Sequence, residues 1–212
     1  QTIVQCCRLS EGTLCVCQHA AFAAWNSGEL QPITRSTGLS SAYVSAGAAA
    51  ASAMAIGFED GSIAIFDHGR KLHIDDATLG SPVESKRIRS IAMDGSLMLA
   101  SGDFGLSLID QSSGDVLASC RMRQPVLRCA FSNGKAMALT QQGVYSMDLG
   151  SQYFQDPDLW AQDYYDFGAD YHDYQGPRPV SPPDDEANFM ASADGCIAIA
   201  SRHFCEISKS GL

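Results

Sequence analysis

The sequence predicts an all-β fold: a β-propeller of four-stranded antiparallel blades, about five in number. The ring is read as incomplete and is interrupted by one acidic, aromatic helical insert. Three observations predict it. Apolar runs of four to six residues alternate with Asp, Ser and Gly turns, the pattern of up-and-down antiparallel strands. A four-phrase unit of such runs recurs at close to the ~40–45 residues of a propeller blade. One stretch also stands apart in composition from everything around it.

The phrase RIRSIAMDGSLMLASGDFGLSLIDQSSGDVLASC, from Arg87 onward, shows the unit best. It divides into strands over 90–92, 97–101, 106–109 and 115–119, with turns at Asp94 and Gly95, at Asp103 to Gly105, and at Ser113 and Gly114. Upstream, SAMAIGFEDGSIAIFDHGRKLHI repeats it, with a turn at Asp60 and Gly61 and a third strand ending at Asp67. The first copy, IVQCCRLSEGTLCVCQHAAFAAWNSGELQPI, turns at Glu11 and Gly12 and again at Ser27 and Gly28. Downstream, PVLRCAFSNGKAMALTQQGVYSMDLG turns at Asn133 and Gly134, and NFMASADGCIAIASRHFCEIS at Asp194 and Gly195. Aligned on the end of the third strand, the copies meet at Asn26, Asp67, Asp110, Asp148 and Ser208, in steps of 41, 43, 38 and 60. The long step is one period plus an insertion. The expected organisation is blades one to four over 1–150, an insert over 151–187, and a fifth blade over 188–212 that stops after its third strand. An open blade leaves an unpaired edge and an apolar face, so flanking sequence or a partner is expected to complete the ring. Residues 48–53, rich in Ala, fit either the first turn of the second copy or a short helix.

The phrases AIGFEDGSIAIFD and LASGDFGLSLIDQSSGDVLAS resemble WD40-type repeats. The resemblance implies that Asp60 and Asp103 tie up the amides of their turns, and that Asp67 and Asp110 stand where the Trp–Asp pair closes the third strand. Trp25 with Asn26 comes nearest to that pair, and Asp148 takes its place in the fourth copy. Gly61 and Gly105 are the turn glycines. The Gly–His pair that precedes the first strand in that family is absent from every copy.

The chain has 212 residues, 45% of them apolar and 18% charged, with a net charge of −10 and a pI near 4.7. Residues 151–187 hold nine Asp and Glu against Arg178 alone, and eight of the 18 aromatics. The remainder is nearly neutral. Within 156–177, Asp156 and Pro157 read as a helix start and Gly176 and Pro177 as a stop. Trp160, Tyr164, Phe167, Tyr171 and Tyr174 are spaced 4, 3, 4 and 3 apart, and Asp163, Asp166, Asp170 and Asp173 form the adjoining stripe. This spacing predicts an amphipathic helix. With Gly168 inside it and acids in its last turn, it needs a surface to fold on: its own propeller rim, or the groove of a partner with Lys and Arg facing the Asp row. The outer strand of the fourth copy is expected near 151–154. The Pro-rich GPRPVSPPDDE that follows reads as extended, and Ser181 before Pro182 is a weak phosphosite signal.

Cys6, Cys7, Cys15 and Cys17 cluster, but strand alternation lets at most three converge, against the four ligands of a structural zinc site. They read as buried, reduced thiols. Asp103, Phe104 and Gly105 spell a kinase metal motif with none of its companions. The five histidines accompany no nucleophile motif, and the Asp row lacks the spacing of a calcium loop. Neither a basic, aromatic patch for nucleic acid nor an apolar run of about 18–20 residues for a membrane helix is present in the sequence. Gln at position 1 reads as a processed or trimmed start, and the lack of an Asn-x-Ser/Thr sequon leans the same way as the thiols, toward an intracellular protein. The expectation is a non-enzymatic interaction scaffold, without cofactor, metal or small-molecule substrate, bound to other protein subunits of a larger assembly. Two rivals stand beside it. One is a propeller that cages a basic peptide with the insert's Asp and Tyr; the other is an enzyme with its site in the central channel.

Overall fold

Most of the apolar runs become strands because both of their faces are buried. In the computed structural model, residues 3–17, 20–34, 43–67, 69–79, 83, 85–163, 189–193, 196–200 and 205–209 are described. The first blade is β1 (Ile3–Leu9), β2 (Gly12–Cys17), β3 (Ala20–Trp25) and β4 (Leu30–Ile33), paired antiparallel in chain order. The second blade is β5 (Val44–Ala50), β6 (Ala53–Phe58), β7 (Ile63–Asp67) and β8 (Arg70–Ile74). The third is β9 (Ile88–Asp94), β10 (Leu97–Gly102), β11 (Gly105–Asp110) and β12 (Val116–Cys120). The fourth is β13 (Arg128–Ser132), β14 (Lys135–Thr140), β15 (Gly143–Asp148) and β16 (Ala161–Asp163). A three-stranded sheet of β17 (Phe189–Ala193), β18 (Cys196–Ala200) and β19 (Cys205–Lys209) follows.

The inner strands pack in chain order, β1 on β5, β5 on β9, β9 on β13 and β13 on β17. This is the radial succession of propeller blades. Among the described residues no closure of the fifth sheet onto the first blade is seen. Among the described residues, three apolar cores fill the spaces between the first four blades. Leu14, Val16, Ile56 and Phe58 join the first blade to the second. Ile63, Ile65, Ile88 and Met98 join the second to the third. Leu99, Leu106, Phe131 and Trp160 join the third to the fourth. Successive side chains of a strand point to opposite faces, so Met98 enters one core and Leu99 the next.

Three sequence expectations are corrected here. Residues 48–50 are strand and not helix, with the turn at Ala51 and Ser52. The predicted helix over 156–175 does not form in its described part. Asp156 does act as a cap, accepting from the Asp158 amide at 3.0 Å, but what it starts is a single 3₁₀ turn, Pro157–Leu159. Trp160 is already extended, and 161–163 pair with β15 as the outer strand of the fourth blade. That strand was expected near 151–154, where the chain instead turns and buries Phe154. The reason is competition for the open edge of β15. Main-chain pairing there, together with burial of Trp160, outweighs a helix whose own carboxylates repel.

Candidate interaction surface

Strand alternation and register put one set of groups at a common rim. The inner strands begin there, and the turns between second and third strands lie beside them: Arg128 opens β13 and pairs with Leu139, while Ile88 opens β9 opposite Gly102. In the third blade this end is basic. Lys86, Arg87, Arg89, Arg121 and Arg123 flank its strands here, with Arg128 opening the next blade, whereas Asp94, Asp110 and Asp115 lie at the opposite end. The second blade has the reverse sense at this rim, with Glu59, Asp60 and Asp76. Opposite charges therefore meet across the two blades. Lys86 Nζ lies 2.8 Å from Asp76 Oδ2, and Arg87 Nη1 lies 4.0 Å from Glu59 Oε1. At the far rim the sense inverts, and the Arg70 guanidinium donates to the Ser112 carbonyl beside Asp110.

Toward the third and fourth blades the basic groups outnumber their partners. Arg89 Nε donates to Asp103 Oδ1 at 2.7 Å. Arg128 Nη1 reaches only main-chain oxygens among the described residues, at 2.9 Å to Leu127 and 3.3 Å to Arg89. Burial first, and then the neighbouring Arg89 and Arg87, hold the Arg128 guanidinium below its ordinary pKa, although the adjacent Cys129 works the other way. An anion placed there would remove that repulsion. Arg121 is exposed, and one nitrogen of Arg123 sits 2.6 and 2.8 Å from the two Asp158 oxygens. β16 ends and β17 begins at this rim, since Asp163 pairs with Val144 and Phe189 opens an inner strand.

The turn residues play separate parts. Asp60 accepts from the Ser62 amide at 3.0 Å and from its hydroxyl at 2.6 Å, holding Gly61 at φ +88°. Asp103 takes the Arg89 side chain, and Gly105 sits at φ +106°, where a Cβ would fall 2.1 Å from the Cys120 carbonyl. Asp67 accepts from Ser52 Oγ at 3.3 Å. Asp110 accepts from the Ser112 hydroxyl and the Ser112 and Ser113 amides, which hold its carboxyl below the usual range. Asp148 is exposed, with its carbonyl bonded to the Ser151 amide.

Of the stripe read from the sequence, Trp160 is 4% exposed. Its indole donates to the Phe154 carbonyl at 3.0 Å and meets the Phe154 ring edge-on at 5.1 Å. It is a core side chain of the fourth blade. Asp163 closes β16. Tyr164, Asp166, Phe167, Asp170, Tyr171, Asp173 and Tyr174 lie outside the described residues. The arginines of the rim were missed in the sequence because they are scattered over 87–128; only the blade period brings them to one end.

The fold is shared with solved structures of low identity. PorZ of Porphyromonas gingivalis, described as an essential bacterial surface component of the type-IX secretion system, matches 97% of this chain with a TM-score of 0.66 and 17% identity. The chain spans 28% of that PorZ chain's length. The computationally designed Ika4 protein matches 82% of this chain and 95% of its own, with a TM-score of 0.55 and 13% identity. The designed Ika8 protein matches 92% and 56%, with a TM-score of 0.56 and 12% identity. No curated protein sequence matches. A family model described as the "TSS9, PorZ, N-terminal beta-propeller domain" matches residues 14–161. The propeller architecture implied by the WD40 resemblance therefore stands, but the family that matches is another. The expectation of an intracellular protein is overturned, because the matching family and its solved relative belong to a surface component of a secretion system. With well over half of its length matched by that family model, the chain belongs to the PorZ N-terminal β-propeller domain family.

Proposed function

We propose that this chain is a non-catalytic interaction domain of a type-IX secretion surface component, and that it offers the rim of its third and fourth blades to an acidic protein partner. The observation that carries the reading is the arginine cluster at that rim, in a chain of net charge −10: Arg89 and Arg123 are held by Asp103 and Asp158, and Arg121 and Arg128 have no carboxylate partner among the described residues. Against such a background a concentrated positive patch steers an acidic partner and sets its orientation. A rigid blade array supports the role because little conformational entropy is lost when it binds. The caged-peptide alternative rests on the insert's Asp and Tyr, of which Tyr164, Asp166, Asp170, Tyr171, Asp173 and Tyr174 lie outside the described residues.

A photo-crosslinking residue placed at Arg121, in the protein expressed in its native host, tests the proposal. A discrete protein adduct is expected from position 121 and not from Ser27, an exposed turn residue at the opposite rim. Reversing Arg89 and Arg123 to Glu should remove the adduct. Adducts that survive the reversal, or that form equally at Ser27, would sink the reading.

A further inference from the structure

The first two strands bring two thiols together in a way that no other pair among the described side chains shows. Cys6 and Cys15 are direct partners in the antiparallel register of β1 and β2. Their side chains therefore leave the sheet on the same face, and the two sulfurs are 3.7 Å apart, in van der Waals contact. Cβ atoms of directly opposed residues are ~4.5–5.5 Å apart, closer in non-hydrogen-bonded pairs, and a disulfide spans ~3.5–4.5 Å. Closure therefore needs rotation about the Cα–Cβ bonds to turn the sulfurs together, and a local approach of the two strands of up to about 1 Å. Cys6 is exposed and Cys15 is half-buried behind it. Cys6 also lines an open cavity of about 360 Å³ with Ser10, Thr13 and Asn26, so a reagent reaches it.

The remaining thiols with described side chains are placed differently. Cys7, next in sequence, points to the opposite face and donates to the Gly47 carbonyl at 3.4 Å, and burial pushes its thiol up to about 11. Cys120 and Cys129 are buried in the core between the third and fourth blades, and burial pushes them up to about 12 and about 11. Cys17 is buried. The Cys15 thiol is raised as well, by burial and by Cys6 beside it.

We propose that Cys6 and Cys15 are an oxidation site that closes into a cross-strand disulfide when the chain meets a disulfide-class oxidant. With glutathione disulfide as that oxidant, the Cys6 thiolate attacks one sulfur and expels a glutathione thiolate, leaving a mixed disulfide on Cys6. The Cys15 thiolate then attacks the Cys6 sulfur and expels the second glutathione. One protein S–S bond forms, one glutathione S–S bond breaks, and the two protons lost by the protein go to the two glutathione thiolates. The product ties β1 to β2 on the face turned away from the second blade, where β1 has one ladder of main-chain bonds among the described residues. The step rests on this geometry and not on the proposed partner, so either can fail alone.

The test incubates the full chain with glutathione disulfide at pH 8, alkylates it in denaturant, and maps the products by mass spectrometry. Titratable thiols should fall from the eight of the sequence to six, two being consumed in one bond. Fragmentation of the linked peptides should assign that bond to Cys6 and Cys15. Cys15→Ser should stop the reaction halfway, leaving one glutathione on Cys6, and Cys6→Ser should leave Cys15 free to alkylate. A bond assigned to any other pair, a stable glutathione adduct on the unaltered chain, a Cys6-linked dimer, or Cys6 and Cys15 both still alkylated after oxidation would each overturn the proposal. Circular dichroism of both variants identifies any that fail to fold, and for those the unaltered chain's map decides alone.

Discussion

At the scale of single residues, the core between the third and fourth blades carries a pH sensitivity. Cys129 is enclosed by Ser90 and the Leu99 carbonyl, with sulfur distances of 3.6 to 3.7 Å. Burial is the largest cause of its rise from the ordinary 9.0 to about 11, and the weak bonds to Ser90 and Ser101 offset only part of it. A folded value above the unfolded one means the folded state holds its proton more tightly. The stabilisation is fully present below pH 9 and is lost as pH rises toward 11. The two-unit gap corresponds to about 2–3 kcal/mol. Urea unfolding of the reduced chain between pH 8 and 11 should therefore show falling stability, and Cys129→Ala should flatten a part of that slope of this size. An unchanged slope in the variant would mean that the thiol is hydrated in the folded state.

At the scale of elements, the segment 151–163 shows how a helix signal yields to a sheet edge. Phe154 and Trp160 are both buried in the core that also holds Cys120, Met122 and Val126. The indole donor is satisfied by the Phe154 carbonyl, so the ring enters the core without an unpaired polar atom. Trp160→Ala should cost about 3–5 kcal/mol in urea unfolding and should speed exchange of the β15 amides that face β16. A loss below about 1 kcal/mol would show that the segment rests on the blade without anchoring it. The same segment marks the limit of what the sequence shows. The blade strands were legible because turns such as Asp60–Gly61 and Asp94–Gly95 punctuate apolar runs, a local signal repeated in phase. Trp160 was misread because its 4, 3, 4, 3 spacing with later aromatics is also a local signal. The open edge of β15 that captures residues 161–163 is a tertiary fact. The rim arginines were illegible for a related reason: Arg87, Arg89, Arg121 and Arg128 meet only after four strands have folded up and down. The charge clasp between the second and third blades, Lys86 with Asp76 and Arg87 with Glu59, was hidden in the same way.

At the scale of the whole molecule, stability is set by which blades have two neighbours. The third blade sends Met98 and Ile109 into the core shared with the second, and Leu99 and Leu106 into the core shared with the fourth. The first blade, among the described residues, shares one core, built on Leu14, Val16 and Phe58. Its other face carries the half-buried Cys15 and Phe22 and the exposed Cys6. Its outer strand β4 has only Ile33 buried. In an array of stacked repeats, stability is the sum of each unit and its nearest-neighbour interfaces. Native-state hydrogen exchange should therefore be slowest in β9 to β11 and faster in the first blade, fastest in β4. Leu14→Ala separates this picture from a single cooperative unit. Leu14 is fully buried in the first interblade core, and its truncation costs about 2–5 kcal/mol. If stability is nearest-neighbour, β1 to β3 should lose most of that protection, β5 and β6 some of it, and β13 to β15 almost none. If the blades unfold as one, the slowest amides of β13 to β15 should accelerate by the same factor as those of β2. The nearest-neighbour outcome also bears on the proposed interaction. A partner held by Arg121 and Arg128 would then stay bound while the first blade opens, and the rim could act independently of the Cys6 and Cys15 bond.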